Sequence, residues 1–168
     1  MKRIFTMIIG TTIFFWAFVS FIDYLITKQV YYYNGSAEKA TLDEDGNIVI
    51  IDDEITDQAT YIVYEYENAT IGLIAVRNSN GRVMVVVNAC NSCKQSPKAY
   101  FVQQENKFKC QKCSTSIKVD DLEKNLGSEC YPIAIKERYD INGKIIIGTK
   151  ELYNLKDKFI DWKGPKDN

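Results

Sequence analysis

Residues 83–113 read VMVVVNACNSCKQSPKAYFVQQENKFKCQKC, and both the strand pattern and the candidate chemistry of the chain start from them. Val83-Met84-Val85-Val86-Val87 is a β-branched, apolar run that favours a buried strand, and it leads directly into Cys90-Asn91-Ser92-Cys93. Further on, the two residues Glu105-Asn106 separate the extended stretches Tyr100–Gln104 and Lys107–Lys109, which predicts a hairpin whose second strand delivers Cys110-Gln111-Lys112-Cys113. The segment is therefore strand, cysteine pair, hairpin, cysteine pair.

The same composition extends to both sides. Asn47–Ile51, Thr60–Glu67, Thr70–Arg77 and Arg82–Val87 are rich in β-branched and aromatic residues, and turn chemistry at Asn68-Ala69 and Asn78-Ser79-Asn80-Gly81 separates the last three. Downstream, Asn142-Gly143 predicts a type I′ hairpin joining Ile133–Tyr139 to Lys144–Ile147. Helical periodicity outside the N-terminus is confined to short stretches near Val119–Leu126 and Lys150–Lys158. The expected class is mostly β and antiparallel.

A C-x2-C pair curls into a knuckle that offers two sulfurs to one ion, and two facing knuckles complete a tetrahedral set. Cys90, Cys93, Cys110 and Cys113 are the candidate ligands on this spacing. Disulfides are the competing reading, since an extracytoplasmic site permits them, but the odd count of five cysteines argues against complete pairing. Soft thiolates suit zinc, iron, an iron–sulfur cluster or Cu(I), and spacing alone favours zinc. Cys130 is read as a spare metal ligand, a redox-active thiol, an intermolecular disulfide partner or a small buried side chain. Between positions 94 and 118, six lysines (Lys94, Lys98, Lys107, Lys109, Lys112, Lys118) face one acid, Glu105. Such a patch either offsets thiolate charge, docks an acidic redox partner, or is a solvated hairpin surface.

Ile4 to Ile22 contains no charged side chain, and about 23 apolar residues at roughly 1.5 Å each span a bilayer core as a helix. Lys2 and Arg3 precede the run, so the positive-inside bias places the N-terminus in the cytoplasm and the remainder outside. The run is too long for a usual signal-peptide core and lacks a clean cleavage site. Asp23 lies near its outer end, close to Tyr24 and Tyr31-Tyr32-Tyr33, which suits an interfacial belt. The polar stretch from Asn34 to Gly46 reads as a tether. The expected organisation is a transmembrane anchor over 1–28, a linker over 29–46 and an extracytoplasmic β domain over 47–168.

Composition narrows the chemistry. The chain has 168 residues with 21 basic and 22 acidic side chains, so no global charge draws it to nucleic acid. It has no histidine, which removes Ser-His and Cys-His catalysis, His-ligated haem and an orthodox Rieske centre. Asp52, Asp53, Glu54 and Asp57 cluster in a turn and read as solvated acids, not a catalytic pair. Metal binding or electron transfer is expected ahead of enzymatic turnover.

Asn88-Ala89-Cys90-x-x-Cys93, Lys98-Ala99-Tyr100-Phe101, Phe108-x-Cys110-x-x-Cys113 and Glu129-Cys130-Tyr131-Pro132-Ile133, with the strand pattern before them, resemble the FtrD-like family of membrane iron–sulfur proteins over roughly residues 47 to 155. The resemblance implies a membrane-attached iron–sulfur protein, with members linked to iron-uptake systems that contain an Ftr-type permease. A membrane permease or a redox protein is then the implied partner, and one-electron transfer outside the cytoplasmic membrane the implied function. Zinc in a non-redox accessory module, or thiolate metal handling, is the alternative. The order of strands and ligand loops is also similar, more distantly, to Rieske ferredoxins, with Cys93 and Cys113 where histidines would stand. That likeness implies a Rieske-like antiparallel β domain with two knuckle loops and a potential lowered by the two extra thiolates.

Overall fold

The computed structural model describes residues 18–19, 37–93, 95–124 and 130–165. The chain divides into two units, Met1–Asn34 and Gly35–Asn168. The expected anchor over 1–28 lies outside the described residues apart from Phe18 and Val19; among the described residues no helix is long and apolar enough to cross a membrane. Among the described residues of the second unit, regular structure is mostly β-strand.

Its first sheet has the order β1-β4-β5-β6-β10, from Glu38–Lys39 (β1), Thr60–Tyr66 (β4), Ala69–Arg77 (β5), Val83–Cys90 (β6) and Pro132–Ala134 (β10). All its pairings are antiparallel except β1 with β4. A second sheet, β11-β12-β3-β2, uses Arg138–Ile141 (β11), Lys144–Ile147 (β12), Ile48–Ile51 (β3) and Thr41–Leu42 (β2). The third, β7-β8-β9, is formed by Phe101–Gln104 (β7), Lys107–Cys110 (β8) and Ser116–Lys118 (β9).

Strand β6 is buried along its whole length, which is why its sequence is a continuous apolar run and not an alternation. Successive side chains of a strand point to opposite faces. Val83, Val85, Val87 and Ala89 join Leu73 and Ala75 of β5 in a core closed by Ile48, Ile50, Ile145 and Ile147 of the second sheet. The alternate residues Met84, Val86, Asn88 and Cys90 therefore face the other way. On that side the third sheet is tied to the first through two backbone amides: Phe101 N–H donates to Asn88 Oδ1 at 2.7 Å and Gln103 N–H donates to Tyr61 Oη at 2.9 Å.

Several sequence expectations are met closely. Asn142 and Gly143 both have positive φ, 51° and 73°, as a type I′ turn between β11 and β12 requires. Glu105 takes φ 55° in the turn between β7 and β8. Where helix was expected there is a 3-10 turn at Val119–Asp121, a single α-helical turn at Thr149–Tyr153 and a 3-10 turn at Lys156–Phe159; a further 3-10 turn lies at Asp52–Glu54.

Others differ for physical reasons. Part of the expected tether is strand, because β1 and β2 find open edges beside β4 and β3. The expected single strand Ile133–Tyr139 is two strands in two sheets. The Glu151 carboxylate takes the Lys136 and Glu137 amides at 2.9 and 3.0 Å, satisfying there the backbone that a continuous ladder would have used. Of the acidic cluster, Asp52 is paired with Arg77 at 2.8 Å and so braces the turn after β3.

Candidate metal centre

The first knuckle begins where β6 ends. Cys90 is its last residue, with its amide donating to Ala99 O at 2.9 Å, and the chain then bends through Asn91-Ser92-Cys93. The second begins where β8 ends, at Cys110, which is in register with Phe101 of β7. Its turn is closed by Ser114 N–H on Cys110 O at 3.0 Å, with Ser114 at φ 61°, and Gln111 N–H donates to Tyr100 O at 2.9 Å. Residues 99–101 therefore lie between the two knuckles and are bonded to both.

This arrangement brings Cys90, Cys93, Cys110 and Cys113 together, with all four Sγ atoms within 4.8 Å of one another. Cys93 and Cys110, one from each knuckle, are 3.9 Å apart at sulfur, and none of the five cysteines is in a disulfide. Cys90 and Cys110 are buried, while Cys93 and Cys113 lie toward the surface.

The thiols perturb one another strongly. Cys90 is pulled down to about 4, first by the hydrogen bond from the Cys110 thiol, against burial, with help from Cys93 and Ser92. The same bond pushes Cys110 up, and burial adds to it. Cys93 rises to about 12 through burial and the neighbouring Cys90 sulfur. For Cys113, burial is outweighed by hydrogen bonds with the Thr115 side chain and backbone and with Cys110 and Cys130, so it falls. Four thiols this close cannot all ionise alone; a cation among them reverses that balance and releases their protons.

Cys130 is not among the four converging sulfurs, but it borders them through its hydrogen bond with Cys113. It is half-buried, with its sulfur 3.0 Å from Ser92 Oγ, and Ser92 Oγ is in turn 3.8 Å from Cys90 Sγ. Of the lysine patch, Lys107 and Lys109 alternate along β8 with the buried Phe108 and Cys110 and so occupy its outward face.

Asn88, part of the motif before Cys90, carries no role that the sequence alone reveals. It is 1% exposed, the one buried polar side chain among the described residues, and sits two positions before Cys90. Its backbone carbonyl accepts the Trp162 indole N–H at 2.9 Å. A lone Asn closing a valine run was the available signal.

Four thiolates are a donor set for zinc, iron or iron–sulfur chemistry, and the sulfurs are close enough to hold a metal. A family model described as "Membrane iron-sulfur containing protein FtrD-like" matches residues 51–159, which include all five cysteines. No curated protein and no solved structure matches the chain.

Proposed function

The chain belongs to the FtrD-like family of membrane iron-sulfur containing proteins, and on that premise we propose that it is a membrane-anchored, extracytoplasmic electron-transfer protein serving an iron-transport system. The observation that carries this reading is the convergence of Cys90, Cys93, Cys110 and Cys113 within 4.8 Å. These four residues would hold the iron, which supplies reversible one-electron chemistry when bound.

The protein's own contribution is to fix and tune that donor set. Cys90 and Cys110, at strand ends, supply a rigid inner pair; the knuckle turns add Cys93 and Cys113. The Ser92 and Thr115 hydroxyls lie 3.8 and 3.4 Å from the Cys90 and Cys113 sulfurs and would donate to them once these are ionised, and such bonds raise a reduction potential. Anchorage by a single span over 1–28, with the β unit outside, is supported by the family's description and by the charge-free run after Lys2 and Arg3. A membrane permease or a redox protein is the partner this reading requires. The Rieske-like architecture is likewise a proposal, supported by the order of strands and loops.

The test is a spectroelectrochemical titration of the full-length protein, purified anaerobically in detergent. A reversible one-electron change in visible absorption is expected. A colourless chain that carries zinc and takes up no electron overturns the reading in favour of a non-redox accessory module.

A further inference from the structure

Deepening that electron-transfer reading, and resting on it for the identity of the metal, we propose that the four cysteines form a site for one ion, a mononuclear iron tetrathiolate. "Iron-sulfur containing" describes a single iron bonded to four sulfurs as well as it describes a cluster.

The first support is distance. An ion bonded to four thiolates at about 2.3 Å places every pair of sulfurs about 3.8 Å apart. The Cys93–Cys110 pair is at 3.9 Å, and no pair among the four exceeds 4.8 Å. In a two-iron core with one knuckle on each iron, every sulfur of one knuckle would stand roughly 5.5–6.5 Å from every sulfur of the other, given bonds of about 2.3 Å. A four-iron core spreads all pairs about as widely.

The second support is that the separation of the knuckles is fixed by backbone. Cys90 N–H bonds to Ala99 O, and Gln111 N–H bonds to Tyr100 O, each at 2.9 Å, while Phe101 pairs with Cys110 and donates to Asn88 Oδ1. These bonds set the Cα positions of the two knuckles, so the wider sulfur spacing of a cluster would have to come from rotating the Cys side chains alone, away from the inward arrangement they hold here. The third is the curl of each knuckle. The Cys93 amide bears on the Cys90 sulfur, and the Lys112 and Cys113 amides on the Cys110 sulfur, which turns the first sulfur of each pair back over its own loop, while the four sulfurs stay within 4.8 Å of one another.

The deciding experiment counts iron, zinc and acid-labile sulfide per chain in full-length protein purified anaerobically from iron-replete cells, with electron paramagnetic resonance before and after dithionite. One iron, no sulfide and the oxidised-state signal of an isolated high-spin ferric ion are expected. Metal-free chain titrated with Co²⁺ should likewise saturate at one equivalent with tetrahedral visible bands. Two or more irons with matching sulfide overturn the single-ion site yet leave electron transfer standing. One zinc, with one cobalt equivalent, supports the single-ion site and overturns electron transfer.

Discussion

The Asn88 carboxamide oxygen accepts the Phe101 backbone N–H at 2.7 Å, joining the strand that ends in Cys90 to the strand paired with Cys110. Both groups are buried, so removal of the acceptor strands an amide away from water. Asn88→Ala should lower unfolding stability by about 1–3 kcal/mol, the cost of an orphaned buried donor. Chemical denaturation measures this, and the variant should also retain less metal through dialysis against a chelator.

The two classes of cysteine separate by mutation. Cys90→Ser, Cys93→Ser, Cys110→Ser and Cys113→Ser should each weaken metal affinity by more than about tenfold, since loss of even an outer-shell partner costs that much. Cys130→Ser should keep full metal content, because the four converging sulfurs remain and a serine hydroxyl can keep the hydrogen bonds that Cys130 makes with Ser92 and Cys113. Competition with a chromogenic chelator ranks all five variants.

A tryptophan near the C-terminal end supports the strands before the site. A methyl group at Gly72 would meet the Trp162 ring at 2.5 Å, and the same indole donates to Asn88 O. Trp162→Ala should cost about 3–5 kcal/mol, as large aromatic deletions from cores do. Gly72→Ala should cost about 1–3 kcal/mol through overpacking. Thermal melts of the two variants would refute this contact if either matched the parent.

Acid should loosen the turn between β2 and β3. Asp43 is lowered from 3.8, first by the Asn47 backbone N–H, with the Asn47 side chain and the Asp45 and Gly46 amides adding to it. A carboxylate lowered by folding contributes stability that is complete above its unfolded pKa and is lost as pH falls through the lower folded value. Asp43→Ala should therefore destabilise the protein at pH near 7, and the gap from the parent should shrink once pH falls well below 3.8. Urea midpoints across that range give the comparison.

What the sequence disclosed depended on whether the information was local. The Asn142-Gly143 turn announced itself because both residues adopt left-handed backbone that few residues accept cheaply, and the Glu105-Asn106 turn because two residues separate two extended stretches. The cysteine set was legible because each knuckle is four residues long and the hairpin between them is short. The break after Ala134 was hidden: it depends on Glu151, distant in sequence, reaching the Lys136 and Glu137 amides. Strands β1 and β2 were hidden as well, since Glu38-Lys39 and Thr41-Leu42 have little apolar content and form because neighbouring edges are open. Asn88 could be seen but not interpreted, because its partner, Phe101, is fixed by tertiary structure alone.

The unequal burial of the four cysteines gives the centre a back and a front. Cys90 and Cys110 are walled in by the sheets, whereas Cys93 and Cys113 border solvent. Whatever exchanges charge or metal with these sulfurs must therefore arrive from one direction, across the tips of the two loops, and a bulky adduct on either outer sulfur would close that approach while leaving the fold behind it intact.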